Sequence, residues 1–232
     1  MVKVKFCGLK NIEEAKFASK LGVFALGFVF ARNSSRKVSE ATAGDIIGGL
    51  YPFVSKGGVF AGQSPWEIKQ VVRYCGLDFI QLHGGESGDF IRQLFEEFKD
   101  ISGLNLNFNI KIIKAFGIKG EESIEKIKEF SGEDLCDAYL FDTYSENSAG
   151  GTGRSFNWNY FNTIKNELDK PIILAGGLNP ANIYEALDKT GAYGVDVSSG
   201  IETDGCKHGK DKTRMKQFMS SVWRWQSQNV KA

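Results

Sequence analysis

The sequence predicts an α/β protein of the (β/α)₈ class, the TIM barrel, formed as a single domain over residues 1–232. Eight short apolar runs alternate with amphipathic, helix-like stretches along the 232 residues, which is typical of βαβ units around a parallel sheet. The length is ordinary for one such barrel. The Gly-rich segments come late in the chain, where barrels often bind phosphate. An open doubly wound sheet, the competing architecture, usually carries its Gly-rich loop after the first strand.

The strand candidates are rich in valine, isoleucine and phenylalanine, and each is followed by one helix candidate. Capping residues mark several helix starts: Asn11 for one helix, Ser64-Pro65 for a second and Asn179-Pro180 for a third. The last helix is expected near Lys210–Gln226, and residues 100–109 are expected to form a longer loop at the bottom of the barrel. The eight predicted strands are Val2–Cys7, Phe24–Phe30, Phe53–Phe60, Phe79–Leu82, Ile110–Ala115, Ala138–Asp142, Pro171–Ala175 and Tyr193–Val197.

Composition argues against several classes of function. The formal net charge is +1, with lysine and glutamate spread along the chain, so there is no basic footprint for nucleic acid. No apolar run approaches the roughly 20 residues of a membrane span. The first residues resemble a strand rather than an export leader. The four cysteines lie far apart without a CxxC pair, which argues against zinc and disulfides and favours a reducing cytoplasm. Cys75, Cys136 and Cys206 are expected to be structural.

The first predicted strand ends in a thiol. Because side chains alternate across a strand, Lys5 and Cys7 share one face while Val4 and Phe6 take the other. The outer face of a barrel strand packs on apolar helices, so Cys7 is expected to point into the mouth, where barrel enzymes keep their active sites. A buried cysteine that only fills space is the alternative.

Lys5 lies two residues deeper on the same face as Cys7. A charged amine inside a barrel needs a partner. Strand 8 lies beside strand 1 once the barrel closes, and it carries Asp196. The sequence therefore predicts a Lys5–Asp196 ion pair below the mouth.

Asp142 stands at the end of predicted strand 6. By alternation it shares a face with Ala138 and Leu140, two uncharged inward candidates, so its carboxylate is expected to reach the mouth. An aspartate that only caps the next loop is the alternative. A carboxylate on strand 6 and the Cys7 thiol on strand 1 suit one substrate held between an acid and a base. A cysteine acts as a base only as its thiolate.

Two glycine turns follow the last two predicted strands. Glycine lets backbone N–H groups approach an anion, and helix N-termini add donors and partial positive charge. Adjacent turns of this kind predict a phosphate cradle that needs no lysine or arginine. The residues assigned to it are Gly176, Gly177, Ser198, Ser199 and Gly200.

Three further loops border the same mouth. The loop after strand 2 offers Arg32 and Arg36, and an arginine there would be a natural clamp for a substrate carboxylate. His83, after strand 4, is a candidate orienting hydrogen-bond donor, or a loop histidine without a role. The loop after Asp142 contains Gly151 and Gly153, which would cover a second anionic group or form a flexible lid. Taken alone, the loop is more simply interpreted as a flexible surface loop.

With these residues in view, the chain resembles the phosphoribosylanthranilate isomerase family nearly from end to end. The resemblance rests on an ordered set of motifs: "KFCG", "GFVFARNSSRKVS", "GVF", "QLHG", "IKAF", "FDT" with "GGTGRSFNW", "ILAGGLNPANI", and "GVDVSSGIE" with "KD". It implies a (β/α)₈ barrel that isomerises N-(5-phosphoribosyl)anthranilate by an Amadori rearrangement in tryptophan biosynthesis. It also implies no metal or organic cofactor. The sequence leaves open whether the protein is a monomer or a homodimer.

The family's catalytic pattern carries over onto named positions. The resemblance implies that Cys7 is the base, Asp142 the acid and Arg36 the group facing the anthranilate carboxylate. It implies phosphate binding by the turns at Gly176-Gly177 and Ser198–Gly200. His83, Gly151, Gly153 and Asp196 complete the predicted substrate contacts.

Two departures and two alternatives accompany this interpretation. Ser34-Ser35 stands where family members often carry proline or lysine, which is expected to alter loop stiffness. The segment "ETDGCKHGKDKTR" at 202–214 contains extra-looking residues and is expected to lie away from the chemistry. The related isomerase of histidine synthesis is one alternative, disfavoured by Cys7 and by the lack of half-to-half repetition. A non-catalytic barrel that binds a phosphorylated ligand is the other.

Overall fold

A computed structural model describes residues 1–99, 110–143, 158–205 and 209–229, apart from the side chains of Thr143 and Asn159. Eight parallel strands form a closed barrel in which each strand pairs with its neighbours in chain order and β8 returns to β1. The predicted fold class is therefore confirmed. The strands are β1 Lys3–Cys7, β2 Ala25–Val29, β3 Ser55–Phe60, β4 Phe79–Leu82, β5 Lys111–Ile118, β6 Ala138–Thr143, β7 Ile172–Leu174 and β8 Gly194–Val197.

One helix follows each strand and covers the outside of the barrel. The helices are α1 Ile12–Lys20, α2 Glu40–Gly48, α3 Pro65–Cys75, α4 Gly88–Lys99, α5 Glu121–Ser131, α6 Trp158–Lys165, α7 Ile183–Thr190 and α8 Lys212–Asn229. A short 3₁₀ turn, Ser199–Ile201, lies between β8 and α8. In the described part of the chain, no helix is long and apolar enough to cross a membrane.

Two of the three predicted helix caps are confirmed. Asn11 accepts a hydrogen bond from the Glu14 backbone N–H at 2.9 Å, and Ser64 forms a full capping box with Glu67. The third was misplaced. The Asn179 side chain accepts from the N–H groups of Ala181 and Asn182 and so closes a turn, and α7 begins only at Ile183. The cap-then-proline signature does not distinguish these two uses, because both satisfy the same backbone donors.

The predicted facing of β1 is confirmed on both sides. Phe6 points outward and is fully buried against α8, where its ring meets the edge of Phe218 at a centroid distance of 5.9 Å. On the inside, Cys7 packs with Val29 and Val59 in an apolar layer near the mouth. A second interior layer contains Ile113, Ala115, Ala138, Leu140, Ile173 and Ala175.

The predicted loop at residues 100–109 and the thiol of Cys206 lie outside the described residues. Cys75 and Cys136 are free and buried, as expected for structural cysteines. Burial raises the pKa of Cys75 to about 11 and that of Cys136 to about 12. Both therefore stay as neutral thiols across the physiological range.

Candidate active site

The ion pair predicted inside the barrel is present. Lys5 Nζ donates to Asp196 Oδ2 at 2.7 Å, and the two residues are direct partners across the β1–β8 pairing. Both are almost fully buried. Burial by itself would lower the pKa of Lys5, but the charges of Asp196 and Cys7 outweigh it, and the pKa is raised. Lys5 is therefore a fixed positive charge directly below the mouth.

Cys7 is the last residue of β1, and its side chain is buried. The backbone leaves the strand through Gly8, whose φ of 76° is the left-handed conformation that glycine adopts without strain. Gly27 on β2 is the direct partner of Cys7 in the β1–β2 pairing. A Cβ at Gly27 would lie 2.8 Å from Cys7 Sγ and 3.0 Å from Lys5 Cε, so this glycine leaves the space that both side chains use.

Opposing charges act on the Cys7 thiol. Burial raises its pKa most strongly, and Asp196 also raises it, whereas Lys5 and Lys210 lower it. The net effect is a pKa above the ordinary thiol value. Arg36 is a further positive group that faces the thiol. The thiolate is thus favoured by three cations and opposed by burial and one carboxylate.

Asp142 and His83 meet on the other side of the mouth. Asp142 is the last but one residue of β6 and is about one-third exposed, and its Oδ2 lies 3.4 Å from His83 Nε2. Gln81 Nε2 lies 2.9 Å from His83 Nδ1, which is the arrangement of a donor amide and an accepting ring nitrogen. In that tautomer the proton is on Nε2, the nitrogen that lies nearer to the Asp142 carboxylate. The interior Gln81 thus orients a histidine whose other nitrogen faces Asp142.

Arg36 reaches the mouth from the loop after β2, but it already has a carboxylate partner. Its Nε donates to Glu202 Oε1 at 2.6 Å and its Nη2 to Glu202 Oε2 at 2.9 Å. The Glu202 hydrogen bond raises the pKa of Arg36. Arg32, the other candidate in this loop, instead pairs with Glu67 on the exposed surface.

Lys210 extends this cluster beneath the phosphate side. Its fully buried ammonium donates to Glu202 Oε1 at 2.9 Å, to the Ser198 carbonyl at 3.0 Å and to Ser198 Oγ at 3.2 Å. Ser198 Oγ in turn donates to the Cys7 carbonyl at 3.0 Å. The segment 202–214 is thus not separate from the predicted site residues, since its first residue, Glu202, binds Arg36 and Lys210 within it binds the turn after β8. Its residues 206–208 lie outside the described residues.

The two predicted phosphate turns pack against each other. Gly176 and Gly177 have φ values of 83° and 64°. Asn182 donates to the Gly177 carbonyl at 2.9 Å and so fixes this turn to the start of α7. A Cβ at Gly200 would lie 1.9 Å from the Leu178 carbonyl oxygen, so the turn after β8 approaches the turn after β7 backbone to backbone.

Most of the predicted residues thus lie at the carboxyl ends of the strands. One hydrogen-bonded network joins Arg36, Glu202, Lys210 and Ser198 to the end of β1. On the other side, Gln81 is hydrogen-bonded to His83, and His83 lies 3.4 Å from Asp142. Sequence reasoning missed Glu202 and Lys210, and it placed Gln81 on the same face as His83 without giving it a role. Gly151 and Gly153 lie outside the described residues. Within the described ranges, no three His, Cys, Asp or Glu side chains gather in a way that would hold a metal ion.

A closed parallel barrel with paired glycine turns after its last two strands belongs to the class of (β/α)₈ proteins whose mouths are built for phosphorylated small molecules. The family model described as N-(5'phosphoribosyl)anthranilate (PRA) isomerase matches residues 4–221. The chain belongs to this family.

Named relatives agree with this family assignment. The chain is 41% identical over 221 residues to the N-(5'-phosphoribosyl)anthranilate isomerase of Bacillus mycoides (strain KBAB4), covering 95% of this chain and 98% of that one. A phosphoribosyl anthranilate isomerase solved with reduced 1-(o-carboxyphenylamino)-1-deoxyribulose 5-phosphate has a TM-score of 0.80 and 32% identity, covering 97% and 100% of the two chains. A structure of monomers generated from the dimeric phosphoribosylanthranilate isomerase of Thermotoga maritima has a TM-score of 0.78 and 30% identity, covering 96% of this chain and 99% of that one.

Proposed function

We propose that this protein isomerises N-(5-phosphoribosyl)anthranilate to 1-(2-carboxyphenylamino)-1-deoxyribulose 5-phosphate, a step of tryptophan biosynthesis. The observation that carries the proposal is the mouth itself. A thiol at the carboxyl end of β1 and a carboxylate near the carboxyl end of β6 lie at the same end of the closed barrel as the two glycine turns, in a chain of this family. An acid, a base and an anion cradle are the groups that an aldose–ketose rearrangement of a sugar phosphate requires.

The rearrangement can be written with two side chains. Asp142, in its protonated form, gives its proton to the ribose ring oxygen as the C1–O bond breaks, and the anilino nitrogen stabilises the cation as an iminium. The Cys7 thiolate then removes the proton from C2, which gives an enolamine. Tautomerisation of the enolamine produces the C2 ketone. His83 is proposed to orient the Asp142 carboxyl group through the contact at 3.4 Å.

The remaining contacts bind the two anionic ends of the substrate. Backbone N–H groups around Gly176-Gly177 and Ser198–Gly200 are proposed to bind the phosphate, helped by the start of α7. Arg36 is proposed to bind the anthranilate carboxylate. Gly151 and Gly153 are proposed to contact the substrate, and Asp196 to support the site from below through Lys5.

Turnover tests this proposal directly. Loss of anthranilate-type fluorescence on freshly made phosphoribosylanthranilate would be followed for the wild type, Cys7→Ser and Asp142→Asn. We expect wild-type turnover and a fall in kcat of about 10²–10⁴-fold in each variant, with unchanged circular dichroism and unchanged affinity for the reduced product. A wild type that binds the reduced product without turning substrate over would instead support the non-catalytic barrel.

Assembly and location belong to the same proposal. We infer a cytoplasmic protein that acts on a small molecule as a monomer or homodimer, without a nucleic-acid or membrane partner. The buried free thiols of Cys7, Cys75 and Cys136 suit a reducing compartment. Both the monomeric and the dimeric form are described for the Thermotoga maritima relative. Sedimentation equilibrium would distinguish these two states for this chain.

A further inference from the structure

Glu202 uses only part of the Arg36 guanidinium. A guanidinium has five N–H donors in a plane, and Glu202 takes one on Nε and one on Nη2. One hydrogen of Nη1 and the second hydrogen of Nη2 lie parallel at the end of the guanidinium, and they form a fork of the right width for a second carboxylate. Because the Glu202 carboxylate binds Arg36 side-on, it fixes the direction in which this fork points.

A second carboxylate on Arg36 needs more positive charge nearby. Arg36 and Glu202 together are neutral, so a substrate carboxylate would face like charge on Glu202 without net attraction. Lys210 corrects this balance, because its ammonium lies 2.9 Å from the same Glu202 Oε1 that accepts from Arg36 Nε. The three side chains carry a net charge of +1 in a half-buried site, where one unit of charge acts strongly.

Lys210 also connects the Arg36–Glu202 pair to the turn after β8, which is proposed to bind the phosphate. Its two bonds to Ser198 fix the turn after β8, and they do so from a side chain with no solvent exposure. Gly8 packs between the two sides, since a Cβ there would lie 2.9 Å from Arg36 Cδ and 3.2 Å from Ser198 Oγ. The buried Lys210 ammonium thus sets the distance between Arg36, which is proposed to bind the carboxylate, and the turn after β8, which is proposed to bind the phosphate.

We infer that Glu202 and Lys210 are positioning residues for substrate selection. Glu202 orients the Arg36 fork toward the substrate carboxylate, and Lys210 makes that fork net positive while holding the Ser198 turn at a set distance from it. This inference rests on the proposed function for the identity of the substrate. A site arranged in this way distinguishes ligands that carry an ortho carboxylate from ligands that lack one.

Two stable ligands separate the roles. The first is the reduced product, 1-(o-carboxyphenylamino)-1-deoxyribitol 5-phosphate, and the second is the same molecule without its carboxyl group. Inorganic phosphate serves as a third probe. Affinities of the wild type, Glu202→Gln and Lys210→Met would be measured by calorimetry. Glu96→Gln is the matched control, because Glu96 is an exposed glutamate near the end of α4 that pairs with Lys99.

The expected pattern differs between the two variants. In Glu202→Gln the preference for the carboxylated ligand falls about tenfold or more, while affinity for inorganic phosphate stays within about twofold. In Lys210→Met the same preference falls and phosphate binding weakens as well. Glu96→Gln matches the wild type on all three probes.

Equal weakening of both organic ligands in Glu202→Gln, or an unchanged preference, would overturn the inference. If Lys210→Met does not fold, the Glu202→Gln result decides by itself. Failure of the proposed function has another signature: the wild type then shows no turnover. A wild type that also lacks affinity for both organic ligands would overturn the inference as well.

Discussion

Lys5 and Asp196 are 191 positions apart in the chain, and their side chains meet at 2.7 Å where β8 closes against β1. The pair lies directly beneath Cys7, with one charge of each sign in reach of the thiol. A buried ion pair contributes little net stability, because its attraction offsets the cost of desolvating both ions. Its position under the proposed base points instead to control of the thiol's ionisation.

The two members of this pair are expected to shift the pKa of Cys7 in opposite directions. Lys5 lowers that pKa and Asp196 raises it. Lys5→Met therefore raises the thiol pKa and Asp196→Asn lowers it. The rate of alkylation of Cys7 by iodoacetamide, measured against pH and assigned by peptide mass spectrometry, reports each shift. The rising limb of kcat/KM with pH should move the same way.

Stability controls accompany this comparison. Each single variant leaves one buried charge without its partner and is expected to cost about 3–5 kcal/mol. The double variant Lys5→Met/Asp196→Asn removes both charges and should recover much of that loss. Shifts of the same sign in both single variants would contradict electrostatic control of Cys7.

Gly27 tests the space around the thiol. An alanine Cβ there would lie 2.8 Å from Cys7 Sγ and 3.1 Å from Lys5 Nζ. Gly27→Ala is expected to destabilise the fold by about 1–3 kcal/mol and to reduce turnover, since the proposed base must move. The control is Gly48→Ala at the end of α2, where a Cβ meets nothing within 4 Å and the change should be neutral or stabilising. Equal unfolding midpoints in urea for the two variants would refute the crowding argument.

Gly200 tests the packing of the phosphate turns. Its added Cβ would fall 1.9 Å from the Leu178 carbonyl oxygen, so the backbone of one turn must move. Gly200→Ala is expected to weaken the binding of inorganic phosphate by about tenfold or more, which corresponds to about 1.4 kcal/mol. Gly85→Ala, in the open loop after β4, is the control. Calorimetry with phosphate checks both, and unchanged affinity in Gly200→Ala would argue against phosphate binding at this turn.

Local pattern was sufficient to predict much of the barrel. Alternation along β1 predicted that Lys5 and Cys7 point inward, and barrel closure then predicted the Lys5–Asp196 pair, because parity and strand order do not depend on loop details. Strand β4 was predicted to the residue at Phe79–Leu82. Strand β5 extends three residues beyond its predicted end, to Ile118, since Phe116 continues the outward packing.

The contacts of loop side chains could not be predicted in this way. Arg36 and Glu202 are separated by 166 positions, and no periodicity links two loops that leave different strands. The choice of Glu202 and Lys210 as partners depends on where both loops turn above the barrel. The same holds for Asn179, whose side chain closes a turn instead of starting α7.

Glu202 also makes a specific contribution to acid stability. Burial would raise its pKa, but the hydrogen bonds from Arg36 and the charge of Lys210 outweigh it and lower the pKa to about 2 from an ordinary value near 4.5. A lowered carboxyl pKa stabilises the folded state above the unfolded value, and that stabilisation is lost as the pH falls toward 2. Between pH 4.5 and pH 3 the wild type should lose roughly half of this stabilisation, and the rest is lost as the pH approaches 2. Urea unfolding at pH 7, 4.5 and 3 should therefore show Glu202→Gln less stable than the wild type at pH 7, with a clearly smaller difference at pH 3. Glu96→Gln should follow the wild type throughout. A gap between Glu202→Gln and the wild type that stays constant with pH would mean that Glu202 stabilises the fold by packing and not by its charge.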